Sequence, residues 1–270
     1  MDKTEYILGT HDAEITRLQL QHKVWQERMR DCWRRAGVGL GQTVLDIGCG
    51  PGFAALELAA IVGPTGKVNA YERSERFLSH LDAKAIETGI SNIERTVIDF
   101  DCEDFPQGQA DASWCRWVLS FVSNPERLVE NLYNAIRPGG VVIFHEYVNY
   151  STWQIAPDHD AFNRFVSAVM TSWRTAGGEP DIGLRLPTML HDNGFEITTV
   201  SPIVDMVTPA DFTWQWPEAF LRTNITRLID LGEISSEEAQ AAINAFETVK
   251  SMPSGRMVTP IVLEIIAHKP

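Results

Sequence analysis

From Thr43 to Tyr147 the apolar residues switch back and forth between two periods, and few folds accept that rhythm. TVLDIG, KVNAYE, IERTVIDF, ADASWCRWV and VVIFHEY are short β-rich runs. Between them FAALELAAIVG, SERFLSHLDAKAIETG and PERLVENLYNAIRPGG set apolar residues three and four apart, the spacing of a helix face. Punctuation falls at several joins: Gly66 before the second strand, Asn124-Pro125 opening a helix, and Pro138-Gly139-Gly140 before the fifth strand. Repeated strand–helix–strand order lays successive strands parallel and covers both faces with helices. The expectation is an α/β fold with a doubly wound, mostly parallel sheet.

The flanks add to this core. A helical stretch from about Ala13 to Arg35 precedes it, and residues 151 to 194 read as helical. FEITTVSPIVDMV reads as a sixth strand, and two more helices are expected near 209–231 and 235–250. MVTPIVLEIIAHK reads as a last strand, bringing the sheet to seven, with Pro260 suited to a strand start or a bulge. The expected organisation is a helical arm over 1–40, a core over 41–150, a helical lid over 151–256 that includes the sixth strand, and a closing strand over 257–270.

Composition excludes more than it selects. The formal charge of −13 argues against nucleic acid as a partner, because phosphate contacts need clustered Lys and Arg. No apolar run approaches the roughly 20 residues a bilayer needs, so no membrane span is expected. MDKTEYILGTHDAE lacks the basic and apolar regions of a secretory signal. Cys32, Cys49, Cys102 and Cys115 form no C-x-x-C pair and no zinc-type cluster with histidine, which reads as free thiols, no metal and a cytoplasmic location.

VLDIGCGPGF, residues 44 to 53, carries the chemistry. Alternating glycines after a strand let backbone amides approach a ligand, and the next helix turns its positive end toward it. Gly50-Pro51-Gly52-Phe53-Ala54-Ala55 satisfies G-x-G-x-x-A, so a dinucleotide is one guest to weigh. Asp46 stands two residues before Gly48, where it would repel a pyrophosphate but attract an ammonium. The turn therefore suits the methionine end of S-adenosylmethionine (SAM) better. Glu72 ends the second strand, where a carboxylate can accept from both ribose hydroxyls of either ligand. The acidic loop Asp101-Cys102-Glu103-Asp104 follows the third strand, and a carboxylate there would suit an adenine amino group.

Taken in order, VLDIGCGPGF, YERSERFL, DCEDFP and ASWCRWVLSFVSNPERLVENLYNAIRPGGVVIF resemble the Rossmann-like class I SAM-dependent methyltransferases, within the broad group that includes the ubiquinone/menaquinone-biosynthesis enzymes. The resemblance implies SAM as cofactor and S-adenosylhomocysteine (SAH) as product. It puts Asp46, Gly48, Cys49, Gly50 and Gly52 on the methionine part and Glu72 on the ribose. Asp101 and Cys102 would sit beside adenine, with Arg73 near the ring and Asp99 competing for the Asp101 role. The stretch Cys115 to Trp117, with Arg116, would face the methionine and the methyl group. A looser likeness, Y-x-x-G then E-x-x-R-L-x-x-Q on Tyr6, Gly9, Glu14, Arg17, Leu18 and Gln21, adds Arg17 and Gln21 as cofactor contacts from the arm.

Methyl transfer from a sulfonium needs an acceptor held in line and water excluded, so the sequence need carry no catalytic signature. The acceptor should lie over the carboxyl ends of the strands. That singles out the loop after the fifth strand, with His145 as a candidate base, Trp117, Tyr147, Tyr150 and Trp153 as candidate pocket walls, and His11 on the arm. Acidic residues outnumber Lys plus Arg roughly two to one over 151–256, which favours a small or medium-sized organic acceptor over a polyanion. A homodimer is compatible with all of this. The competing expectations are a non-catalytic SAM-binding protein, another SAM-using reaction on the same fold, and last an NAD-dependent oxidoreductase.

Overall fold

The computed structural model describes residues 10–108 and 110–270. Its main sheet is built from β1 (Thr43–Ile47), β2 (Lys67–Glu72), β3 (Ile93–Val97), β4 (Ala110–Arg116), β5 (Ile136–Tyr147), β7 (Glu196–Ile203) and β10 (Val262–His268), in the order β3-β2-β1-β4-β5-β10-β7. The first five run parallel, and β10 lies antiparallel between β5 and β7. This is the expected doubly wound, seven-stranded α/β sheet. Helices α2 (Phe53–Val62), α3 (Glu75–Thr88) and α4 (Pro125–Ala135) connect the parallel strands. Local chemistry sets their ends: Ser74 accepts the amide of Phe77, Asn124 accepts that of Arg127 ahead of Pro125, and Gly89 stops α3 in the left-handed region.

The long helix α1 (Asp12–Arg35) buries Trp25, Met29, Cys32 and Trp33 against the sheet and the neighbouring elements. Its polar face is tied down at three places. Glu57 on α2 accepts from His22, Gln26 and Arg30. Asp205 takes both its oxygens to Arg28 at 2.8 and 2.7 Å. Glu264 on β10 takes Arg35 at 2.6 Å.

Two expected strands are each divided. Met206–Val207 (β8) leaves the sixth strand, and Arg256–Val258 (β9) separates from β10 ahead of Pro260. Both join Gln154–Ala156 (β6) in a small antiparallel sheet, β6-β9-β8. Proline cannot donate to a ladder, so the chain changes sheets there. The crossing points are knitted together: the Thr259 amide donates to the Asp205 carbonyl, and the Asp205 amide donates to Thr259 Oγ1, both at 3.0 Å.

Helices α5 (Asp160–Thr175) and α8 (Ser236–Ser251) pack on β6 of this small sheet, α7 (Gln215–Asp230) packs on α1, α5 and α8, and α6 (Leu186–Asp192) covers β7. Among the described residues no helix is long and apolar enough to cross a membrane. The helical cap shares a ring-rich core with α1 and the ends of β4 and β5. Phe162 is fully buried, 5.3 Å from Trp153 and 6.0 Å from both Phe165 and Phe246 between ring centroids. Phe162→Ala leaves a ring-sized hole there, so urea unfolding should show a loss of about 3–5 kcal/mol.

Candidate functional site

A cavity with an empty volume of about 1010 Å³, its mouth included, opens over the carboxyl ends of β1, β2 and β4. It lies where strand order reverses, with β1 flanked by β2 and β4.

One wall is the glycine turn. Asp46, Gly48, Cys49 and Gly50 line the cavity, and Gly48, Gly50 and Gly52 have φ of 62°, 55° and 87°. Two of these positions are also sterically closed to a side chain. A Cβ on Gly48 would stand 2.4 Å from Val118 Cγ2, and one on Gly52 would stand 2.4 Å from Leu81 Cδ1. Gly52 is thus the cap of α2 and does not line the cavity, whereas Gly50 faces open space.

Asp46 is 2% exposed, and its Oδ2 has no hydrogen-bond partner among the described residues. Burial pushes its carboxyl up to about 8; the Arg116 guanidinium works against that rise and Glu72 adds to it. Glu72 accepts the Gly50 amide at 3.0 Å and the Ser74 amide at 2.9 Å. Burial raises its pKa, while the amides of Ser74, Gly50 and Arg73 oppose the rise. A carboxylate has about four lone-pair sites, so Glu72 keeps capacity for hydroxyl donors. Arg73, Phe77 and Phe100 complete this end of the cavity.

The facing wall follows β4. Burial lowers the Arg116 pKa to about 10, against the pull of Asp46 and Tyr147. Its guanidinium meets Met29 Sδ at 2.8 Å and lies over the rings of Trp114 and Trp117 at 5.8 and 5.0 Å. Trp117 has φ of 54°, unusual for a bulky residue, and its Nε1 has no partner among the described residues. Tyr147 stacks on it at 5.4 Å and Trp216 at 5.6 Å, with Trp25 edge-on at 5.2 Å. From α1, Leu18 and Gln21 close the roof. Gln21 Oε1 accepts from Arg17 at 2.9 Å and from Trp216 Nε1 at 3.2 Å.

Several expected residues stand elsewhere. Arg17 lies behind Gln21, with its guanidinium on Glu14 at 2.8 and 2.6 Å and over Phe220. Asp101 turns away from the cavity to accept the amides of Ser123 and Asn124 at 2.8 and 3.1 Å, and exposed Cys102 does not line the cavity either. Tyr147, Tyr150 and Trp153 form the aromatic packing behind Trp117, and Trp153 Nε1 donates to Met257 Sδ. His11 is the N-cap of α1, where its Nδ1 accepts the Glu14 amide. Tyr6 and Gly9 lie outside the described residues.

His145, expected as a candidate base, does not line the cavity. It is fully buried, 3.1 Å from Glu264 Oε2 through Nε2, and packed by Trp114 and Trp25. Burial lowers its pKa, and the Glu264 hydrogen bond opposes the shift. Glu264 also holds Arg35, and Cys32 adds a third hydrogen bond to it. Cys32, His145 and Glu264 lie close together, and Arg35 takes the other Glu264 oxygen. The trio reads as the hydrogen-bonded seam that fastens α1 to β5 and β10.

Phe53, Phe100, Trp114 and Phe121 line the cavity without having been expected there. For Trp114 a signal existed: it lies two residues before Arg116 on one strand, hence on the same face.

Residues 44–140 match the methyltransferase domain family. Over that stretch the chain carries a methyltransferase domain of the class I SAM-dependent type. The ubiquinone/menaquinone biosynthesis C-methyltransferase UbiE of Escherichia coli O1:K1 / APEC is 28% identical over 188 residues, covering 65% of this chain and 73% of the relative. Solved structures share the fold at low identity. A Bacillus halodurans C-125 structure aligns over 89% of this methyltransferase and 98% of its own chain, at 19% identity and a TM-score of 0.61. The [4+2]-cyclase SpnF aligns over 90% and 81%, at 20% identity and 0.58. The geranyl diphosphate C-methyltransferase of Streptomyces coelicolor A3(2) aligns over 92% and 82%, at 16% and 0.58.

Asp46 makes the ligand-free methyltransferase sensitive to pH. Its folded pKa of about 8 lies above the unfolded value, so the fold binds the extra proton. Stability from this group is complete below about pH 4 and is lost as pH rises toward about 8. Thermal melts of the ligand-free protein at pH 6 and pH 8 should show Tm falling, and Asp46→Asn should flatten the fall.

Proposed function

We propose that this methyltransferase moves the methyl group of SAM to a small or medium-sized organic acceptor by in-line displacement, chiefly through positioning. One observation carries the proposal. One cavity sets a buried carboxylate with an unpartnered oxygen and glycine amides on one wall, opposite an aromatic and cationic wall at Arg116, Trp117 and Phe121.

The residues fit the cofactor. Asp46 Oδ2 would take the ammonium of the methionine part and Arg116 its carboxylate, with the Gly48–Gly50 backbone close beneath. Glu72 would accept the ribose hydroxyls, while Arg73, Phe77 and Phe100 surround the base; Asp101 and Cys102 support the neighbouring loop instead. Gln21 and Leu18 on α1 would close over the methionine part, with Arg17 holding Gln21 in place. When bound, SAM supplies an electrophilic methyl group on a sulfonium.

The chain's own work is to hold the acceptor in line and keep water out, and positioning of this kind is worth about 7–11 kcal/mol of barrier. Trp117, backed by Tyr147 and Trp216, would form the acceptor wall, and its free Nε1–H offers one donor for orientation. No base role is assigned to His145, which Glu264 and two tryptophans enclose. The helical cap over 151–256 would shape the far side for the acceptor. Its acidic excess and the net charge of −13 support an acceptor that is not a polyanion.

Calorimetric titration of ligand-free protein with SAH tests the cofactor part: binding at micromolar concentration or below is expected, and none in a folded sample would sink it. An acceptor panel read by SAH release tests the transfer. For an accepted compound, Trp117→Leu should lower kcat/KM at least about tenfold, and by more than it weakens SAH binding. Equal turnover by that variant would remove Trp117 from the acceptor wall.

A further inference from the structure

Glu146 sits on β5 and is fully buried. Its partners are uncharged donors from the turn that follows β4. Oε1 accepts the amides of Val118 and Leu119 at 2.7 and 2.8 Å, and Oε2 accepts Ser120 Oγ at 2.9 Å. The Ser120 amide adds to the same set. Successive amides gathered on one carboxylate make an anion nest, here filled by a side chain of the protein itself.

The turn needs such a hold. Trp117 enters it with φ of 54°, which a bulky side chain adopts only when its surroundings impose it. Its amide donates to the His145 carbonyl at 2.9 Å, so the turn is tied to β5 from its first residue. At the other end the Glu179 amide donates to the Ser120 carbonyl at 3.1 Å, and a Cβ on Gly178 would come within 2.3 Å of that oxygen. Between these ties the turn presents Trp117 and Val118 to the cavity, and Val118 packs on Gly48 so closely that no side chain fits there.

We infer that Glu146 is a positioning residue for methyl transfer: its carboxylate fixes the Trp117–Ser120 turn, and through Val118 and Gly48 it sets the methionine end of the cofactor seat. The seat itself is the one proposed above. Without the carboxylate, the Val118 and Leu119 amides are left buried and unpaired, and the turn relaxes toward a conformation that Trp117 tolerates better. Glutamine keeps the Oε1 bonds and can donate to Ser120 Oγ, but it meets the Ser120 amide with a second donor, so it should retain most of the effect.

The test uses two ligands. SAH spans the whole seat, whereas 5′-deoxy-5′-methylthioadenosine lacks the methionine carboxylate and ammonium and rests on the Glu72 end. Calorimetry on folded wild type, Glu146→Gln and Glu146→Leu should show SAH weakened least in the glutamine variant. In the leucine variant the loss should be at least about tenfold. Affinity for methylthioadenosine should change less than about threefold in both. A general loss of packing would weaken both ligands together and would overturn the inference, as would a leucine variant that binds SAH like wild type. Should Glu146→Leu fail to fold, Ser120→Ala decides: weaker SAH with unchanged nucleoside binding supports the inference, and unchanged SAH binding overturns it. If wild type binds neither ligand, the cofactor seat fails rather than the role of Glu146.

Discussion

The order of the parallel strands reverses at β1, and the rest of the site depends on that reversal. The chain moves outward from β1 through β2 to β3, then returns to lay β4 on the other side of β1. The loops after β1 and β4 therefore diverge and leave a crevice that packed helices do not fill. Into it the β1 turn carries Asp46, whose second oxygen lacks a partner among the described residues. A buried carboxylate without full satisfaction is costly, and folding alone offers no reason to keep it. The expense makes sense where a ligand brings the missing donor.

The opposite side of the crevice is closed by elements remote in sequence. Helix α1 crosses it with Leu18 and Gln21 turned inward and is held by Glu57, Asp205 and Glu264. Burial works against the charge on Glu57, yet hydrogen bonds from His22, Gln26 and Arg30 hold its pKa down to about 2. Hydrogen-bonded hubs of this kind carry more weight than the exposed pairs elsewhere on α1, such as Arg34 with Asp31. Trp216 from the helical cap reaches Gln21 and stacks on Trp117. Arm, cap and β4 turn thus meet in one aromatic cluster, and a shift in any of them is felt in the cavity wall.

How much of this was legible in the sequence differs from residue to residue. Asp46, Gly48, Gly50 and Glu72 line the cavity, and their positions could be read from strand ends and a glycine turn, which are local. Asp101 could not, since nothing near it in sequence announces that the amides of Ser123 and Asn124 would claim its carboxylate. His145 looked like a base because strand ends face ligands, but its partner Glu264 lies 119 residues away on an antiparallel strand. Tyr147, Tyr150 and Trp153 were grouped with Trp117 as large rings at the carboxyl ends of the fourth and fifth strands, whereas of these four only Trp117 lines the cavity.

The sequence by itself determined the parallel core, the glycine turn with its carboxylate, and the class of cofactor, because hydrophobic period and turn chemistry act over short stretches of chain. Only the tertiary structure decided that Pro260 and Asp205 divide two strands to build a second sheet, and that α1 and Trp216 close the cavity. It also decided that Glu146 on β5 gathers the amides of the turn after β4. Those outcomes depend on which distant donors and rings reach a buried group first, and local sequence carries no record of that competition.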